Sequence, residues 1–150
     1  MNSYKNKIEV CVRAVIQRQG KILICQNKSK GYYFLPGGHI DFGETAKETL
    51  NRELKEELNI IVKKYSFIGT VENIFIEDGQ KHHEINLVFN VSVDRLNDRS
   101  RENHISFLLM DIKEFSRKKI LPVALKMALL KWCKNKKIFW ASRIYNKIIS

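Results

Sequence analysis

No part of the 150-residue chain approaches the roughly 18 consecutive apolar residues that a membrane-spanning helix requires. Its apolar stretches, such as residues 105–110, are far shorter. A transmembrane helix is excluded. The opening MNSYKNKIEV has no apolar core and no small-residue cleavage site, so no secretory leader is expected. Cysteine is scarce and odd in number. Cys11, Cys25 and Cys133 are widely spaced in apolar surroundings, which excludes a disulfide framework and predicts buried free thiols in a reducing cytoplasm. Repeats, low-complexity stretches and linkers are also absent, so one domain is expected. At this length a chain buries about 68–70% of its extended surface without covalent or metal staples. With 44% hydrophobic and 29% charged residues, the composition is that of an ordinary folded protein rather than a disordered one.

Acidic residues are missing from residues 117–150, which hold ten of the 27 basic ones. The first 116 residues therefore set 17 basic against 16 acidic residues and carry only +1 of the total +11. The positive charge belongs to the C-terminal segment, not to the whole surface.

Apolar positions alternate over residues 7–17, and Gln19-Gly20 forms a turn before residues 21–26, which predicts two strands joined by a short loop. Residues 27–31 are polar and glycine-ended, a loop; Pro36-Gly37-Gly38 breaks regular structure. Residues 44–58 contain no Gly or Pro, and Ala46, Leu50, Leu54 and Leu58 recur every four residues, predicting an amphipathic helix. Residues 61–76 and 83–93, rich in Val, Ile and Phe, read as antiparallel strands about a turn near Asp78-Gly79. A polar segment over residues 94–103 precedes a strand at 104–110. Residues 121–133 place Leu121, Leu125, Ala128, Leu129 and Trp132 on one helical face, with Pro122 in the first turn. The fold class is mixed: an α/β or α+β sandwich with a mixed β-sheet between helices.

The chemistry concentrates on the central helix. Glu53 is followed by Glu56 and Glu57 at i+3 and i+4, so three carboxylates crowd one side. Lys55 faces away from them. Arg52 lies four residues from both Glu48 and Glu56, but none of the i±3 and i±4 neighbours of Glu53 and Glu57 is basic. Like charges at these spacings cost roughly 0.2–0.5 kcal/mol per pair, and more where water is partly excluded. Either the trio is a solvated acidic patch, or it holds a hard cation. Oxygen-only ligands favour Mg²⁺ or Mn²⁺ over Zn²⁺. Just ahead of the helix, Pro36-Gly37-Gly38 lets bare backbone approach a ligand.

Gly38, Glu44 and Arg52-Glu53-Leu54-Lys55-Glu56-Glu57-Leu58-Asn59-Ile60 resemble the Nudix box, G-x5-E-x7-R-E-U-x-E-E-x-G-U with U apolar. Six of its seven fixed residues stand at the right spacing over 23 residues, and its setting of loop then helix is the expected one. Asn59 replaces the last glycine; Asn is the next residue able to adopt the left-handed C-cap conformation. The resemblance implies a MutT-like Nudix hydrolase in which water attacks phosphorus in a nucleoside diphosphate linked to a group X, with Mg²⁺ or Mn²⁺ as cofactor. It implies Glu53, Glu56 and Glu57 as metal ligands, one of them or an outside acid as base, and the Gly38 carbonyl as a further ligand. Arg52 would orient a carboxylate, while Glu44 is either a helix cap or outer support. Glu102 is the candidate acid outside the box, with Glu72 and Glu84 behind it. Gly37, Gly38 and His39 are candidate substrate contacts, and Tyr32, Tyr33, Phe34 and Phe75 either stack on a base or simply pack.

From about residue 134 the basic tail spaces Trp140, Ile144 and Ile148 every four residues, predicting a short amphipathic helix. It would dock on its own domain, on a second copy in a homodimer, on an anionic surface or on RNA. Two functions compete: an Mg²⁺-dependent hydrolase of a nucleoside triphosphate or ADP-ribose-type substrate, and a catalytically silent Nudix-fold nucleotide or RNA-binding module using the tail.

Overall fold

The alternation over the first segment is realised as β1 (Ile8–Val15), the first strand of a computed structural model that describes residues 7–96, 105–145 and 147–149. A two-residue turn at Gln19-Gly20, both with positive φ, joins β2 (Gln17–Arg18) to β3 (Lys21–Asn27). After β4 (Tyr33–Phe34), the Pro36-Gly37-Gly38 segment does not break regular structure: Gly37–His39 forms β5, antiparallel to β1. Two glycines without side chains let this short strand close tightly on its neighbour.

Helix α1 (Ala46–Leu58) follows. Thr45 caps it, accepting from the Glu48 N–H while the Glu48 carboxylate accepts from the Thr45 N–H, the reciprocal arrangement of a capping box. Asn59 ends it with φ 54°, and the Ile60 N–H reaches back to the Leu54 carbonyl. The two long strands β6 (Val62–Glu77) and β7 (Gln80–Val93) pair antiparallel around Asp78-Gly79, as expected. Then come β8 (Ile105–Asp111), α2 (Ile112–Arg117), β9 (Ile120–Leu121) and α3 (Val123–Asn135), with Pro122 as the residue preceding the last helix rather than inside it.

The tail is not helical. Lys136 stops α3 in the left-handed conformation, and the chain continues as β10 (Phe139–Ile144) and β11 (Lys147–Ile149). A spacing of four is also twice the strand period, so the pattern of Trp140 and Ile144 suits a strand as well as a helix. The Phe, Trp and Ile content favours the strand. Phe139 and Ala141 turn to the core while Trp140 and Ile144 face outward.

Six strands form one sheet in the order β11-β10-β6-β7-β1-β5; the second holds β2-β3-β4-β9, with β8 on β3. Adjacent residues fall into different cores: Phe89 joins Val12, Ala14 and the Leu50-Leu54-Leu58 stripe of α1, whereas Val88 joins Val71, Ala141, Phe115 and the Leu125-Leu129-Trp132 face of α3. The larger sheet is thus covered by α1 on one face and by α3 with the second sheet on the other. This is the mixed α+β sandwich read from the sequence. No helix among the described residues is long and apolar enough to cross a membrane.

Candidate metal and substrate site

Arg52 organises the acids of α1. Its Nε and Nη2 donate to the two carboxylate oxygens of Glu44 at 2.7 and 2.8 Å, Nη1 donates to Glu53 at 2.9 Å, and Nη2 reaches the His39 carbonyl at 3.2 Å. Glu56 lies 3.6 Å from the same guanidinium, and Asp41 3.4 Å. The planar fork of arginine matches a carboxylate at two points, so Glu44 fixes the guanidinium and the guanidinium fixes Glu53. Glu44 is therefore support and not the helix cap, which is Thr45. Glu53 has the basic partner that its i±3 and i±4 neighbours did not offer: Arg52 at i−1 bends toward it because Glu44, eight residues before Arg52 and just ahead of the helix cap, holds the guanidinium there.

The three acids differ in exposure. Glu57 is 6% exposed and the Glu53 side chain 16%, against 58% for Glu56. Burial pushes the Glu53 carboxyl above its ordinary value, opposed by the Arg52 hydrogen bond. The Arg52 and Thr49 hydrogen bonds hold Glu44 down at about 2, and the partnership with Glu44 raises Arg52. Carboxylates withdrawn from water are stable as anions only beside positive charge.

Gly38 closes the site from β5. A Cβ on this residue would overlap Oε1 and Cδ of Glu53 and lie 2.8 Å from Oε2. The Glu53 carboxylate thus occupies the space a side chain at 38 would take, and brings a charged oxygen pair against bare backbone. These donors, carboxylates of α1 beside the backbone of β5, fit a hard divalent ion. A softer set lies alongside: Cys11, His39 and Glu84 offer ligand atoms within 4.8 Å of one another. Burial pushes the Cys11 thiol up to about 11.

Gly37 is buried with φ 147°, and a Cβ there would overlap the Val12 carbonyl. His39 is exposed, with Nε2 3.6 Å from Glu9. Glu72 accepts from Ser142 at 2.9 Å. Glu102 lies outside the described residues.

A cleft of about 680 Å³ opens between the two sheets, lined by none of Gly38, Glu53, Glu56 or Glu57. The larger sheet gives it Arg13, Asn73, Phe75 and Glu84, the smaller one gives Phe34, and Tyr32 stands just ahead of β4. Tyr33 instead packs against the core. Arg13 stands opposite Gly37, with Nε on Asn86 at 3.0 Å, and its charge lowers Glu53, so it links the cleft to the acids. Arg143 and Tyr145 of the tail also line it, as do the charged Glu77 and Lys119. Arg13 left only a weak trace in the sequence, as a charge between the apolar Val12 and Ala14. Asn73, Arg143 and Tyr145 left none, because register across distant strands brings them together.

The site is thus a carboxylate-bearing, glycine-flanked helix beside a cleft in a mixed two-sheet sandwich. Residues 5–130 match the NUDIX domain, and the chain belongs to the Nudix family, on its MutT-like side. It is 36% identical over 87 residues to an ADP-ribose pyrophosphatase of Methanocaldococcus jannaschii, covering 56% of this chain and 50% of that protein. It is 29% identical over 75 residues to an 8-oxo-dGTP diphosphatase of Proteus vulgaris, covering 47% and 67%. The chain thus spans only half the length of the first of these relatives. The structure of the mutator MutT protein of Bacillus halodurans superposes with a TM-score of 0.77 over 95% of both chains at 17% identity, a likeness of fold.

Proposed function

We propose that this chain is a divalent-metal-dependent hydrolase of the diphosphate linkage in a nucleoside diphosphate joined to a second group. A diphosphate repels an oxygen nucleophile through its own negative charge, and a site for its cleavage must neutralise that charge and hold the linkage still. Glu53, Glu56, Glu57 and the Gly38 carbonyl would hold Mg²⁺ or Mn²⁺. A divalent ion bound there supplies charge neutralisation and a lowered pKa for water. Arg52, clamped by Glu44, orients Glu53; Arg13 offers positive charge where the cleft meets the acids; the cleft takes the nucleoside or the second group. Glu102 remains the candidate proton acceptor, with Glu84, one of two acids that line the cleft, behind it.

The arrangement of Glu53 against Gly38, with Glu57 one turn on, carries this reading, because a binding module gains nothing from carboxylates held together and withdrawn from water. The test is Mg²⁺-dependent release of phosphate or pyrophosphate from a panel of nucleoside triphosphates and ADP-ribose, with Glu57→Gln alongside. Activity in the wild type, lost in the variant, is expected. Equal inertness of both, with nucleotide still bound, would show a silent binding module.

A further inference from the structure

Apart from the acids of α1, a second and softer set of donors gathers near the β5 edge of the larger sheet. Cys11 of β1 stands opposite His39 of β5, and Glu9, two residues before Cys11, stands in register with Glu84 of β7. Residues two apart on a strand, and residues in register on neighbouring strands, share a face. Cys11, His39 and Glu84 therefore point to one side, and one ligand atom from each lies within 4.8 Å of the others. Three atoms that close share a point within about 2.8 Å of all of them, against roughly 2.0–2.3 Å for bonds from zinc to oxygen, nitrogen and sulfur. A closure of roughly 0.5–0.8 Å per ligand makes all three bonds.

The surroundings suit a cation. Cys11 is fully buried, and among the described residues its thiol makes no hydrogen bond. The carboxylates of Glu84, Glu9 and Glu53 act on the thiol from β7, β1 and α1, against the guanidinium of Arg13. Glu9 also lies 3.6 Å from Nε2 of His39 and 3.8 Å from Nδ1 of His82. A carboxylate beside the imidazole is the usual support of a ligating histidine.

Softness decides which cation fits. Magnesium takes oxygen ligands, whereas sulfur with imidazole and one carboxylate selects a thiophilic ion. We infer that Cys11, His39 and Glu84 form a binding site for a thiophilic divalent ion, Zn²⁺ above all, distinct from the hard-ion site on α1. The thiol gives up its proton to solvent as the sulfur–metal bond forms. Three protein ligands leave a fourth position, and because Glu84 lines the cleft, water reaches that position from there. His39 follows Gly38 directly, so the ion ties β5 to β1 and β7 beside the backbone that meets Glu53.

Cobalt tests the site without turnover, because a bond from Co²⁺ to thiolate absorbs in the near ultraviolet and one to carboxylate does not. Titration of the full chain with Co²⁺, in a reductant that carries no thiol, should raise this band to saturation at one equivalent. One equivalent of Zn²⁺ should bleach it, and excess Mg²⁺ should not. Cys11→Ala abolishes the band. His39→Gln changes a side chain that is 59% exposed, so little packing is lost, and weakens Co²⁺ binding by at least about tenfold. Cys133→Ala and Glu57→Gln both keep the band. No thiolate band in the wild type overturns the inference, as does a band that persists in Cys11→Ala or is unchanged in His39→Gln. A band lost in Cys133→Ala assigns the thiolate elsewhere, and one lost in Glu57→Gln assigns the cobalt to the acids of α1; either overturns it. The assay contains no nucleotide, so its outcome is independent of the hydrolase reading.

Discussion

Two adjacent glycines separate the requirements of the fold from those of the site. At Gly38 the backbone is ordinary and the obstacle to a methyl group is the Glu53 carboxylate, whose Oε2 would stand 2.8 Å away with Oε1 and Cδ overlapped. Carbon and oxygen settle at roughly 3.3–3.6 Å in a weak contact, so Gly38→Ala pushes the carboxylate back by about 1 Å. A carboxylate is the far end of a flexible side chain and can move. Losing its hydrogen bond from Arg52 costs about 1–2 kcal/mol, and replacing glycine by alanine returns about 0.4–1 kcal/mol through the unfolded chain. Folding stability should change by no more than about 1.5 kcal/mol. Magnesium tolerates little departure from its short bonds, and a displacement of about 1 Å at such a site costs on the order of 10²-fold in rate. At Gly37 the methyl meets the Val12 main chain, which cannot retreat without parting β5 from β1, and φ is 147°. Gly37→Ala should cost roughly 3 kcal/mol or more. Urea denaturation of both variants, with Mg²⁺-dependent nucleotide hydrolysis of the folded fraction, reads the two effects apart. Wild-type turnover in a folded Gly38→Ala, or equal stability loss in the two variants, would refute the reasoning.

Other consequences follow from the same contacts. Arg52→Lys removes the two-point clamp on Glu44; activity should fall at least tenfold and stability by about 1–3 kcal/mol, measured by steady-state kinetics and denaturant melts. Glu44 has a folded value of about 2 against 4.5 ordinarily. In that window the unfolded chain binds the extra proton, so the stability Glu44 contributes is complete above about pH 4.5 and is lost as pH falls toward 2. Urea midpoints taken between pH 2 and 5 should show this loss, and Glu44→Gln should flatten it. The Thr45 cap contributes about 1 kcal/mol, so Thr45→Ala should lower the melting temperature by a few degrees while leaving the metal dependence unchanged.

What could be read in advance was local. Helix α1 announced itself through a four-residue apolar repeat, and Asn59 was recognisable as a left-handed cap, because both depend on residues within one turn of each other. The acids at 53, 56 and 57 were visible for the same reason. Partnerships beyond one turn were not: Arg52 reaches back past the start of the helix to Glu44, eight residues away, and no i±3 or i±4 spacing encodes that. The tail misled because Trp140 and Ile144 obey two periods at once, and pairing with β6 decided between them. Short helix α2 escaped notice because six residues hold too little periodicity, although Asp111 caps it and Phe115 anchors it in the core. The cleft was the least legible part, since Arg13, Asn73, Glu84 and Arg143 meet only through sheet register.

Divalent-ion binding by the acids of α1 is the claim on which the rest depends. Titration of Mn²⁺ followed by electron paramagnetic resonance, on the wild type and on Glu53→Gln and Glu57→Gln, measures it without substrate or turnover. Saturable binding in the wild type, weakened at least tenfold in each variant, is the predicted result. Equal binding in all three proteins, or none in the wild type even with nucleotide present, would contradict it.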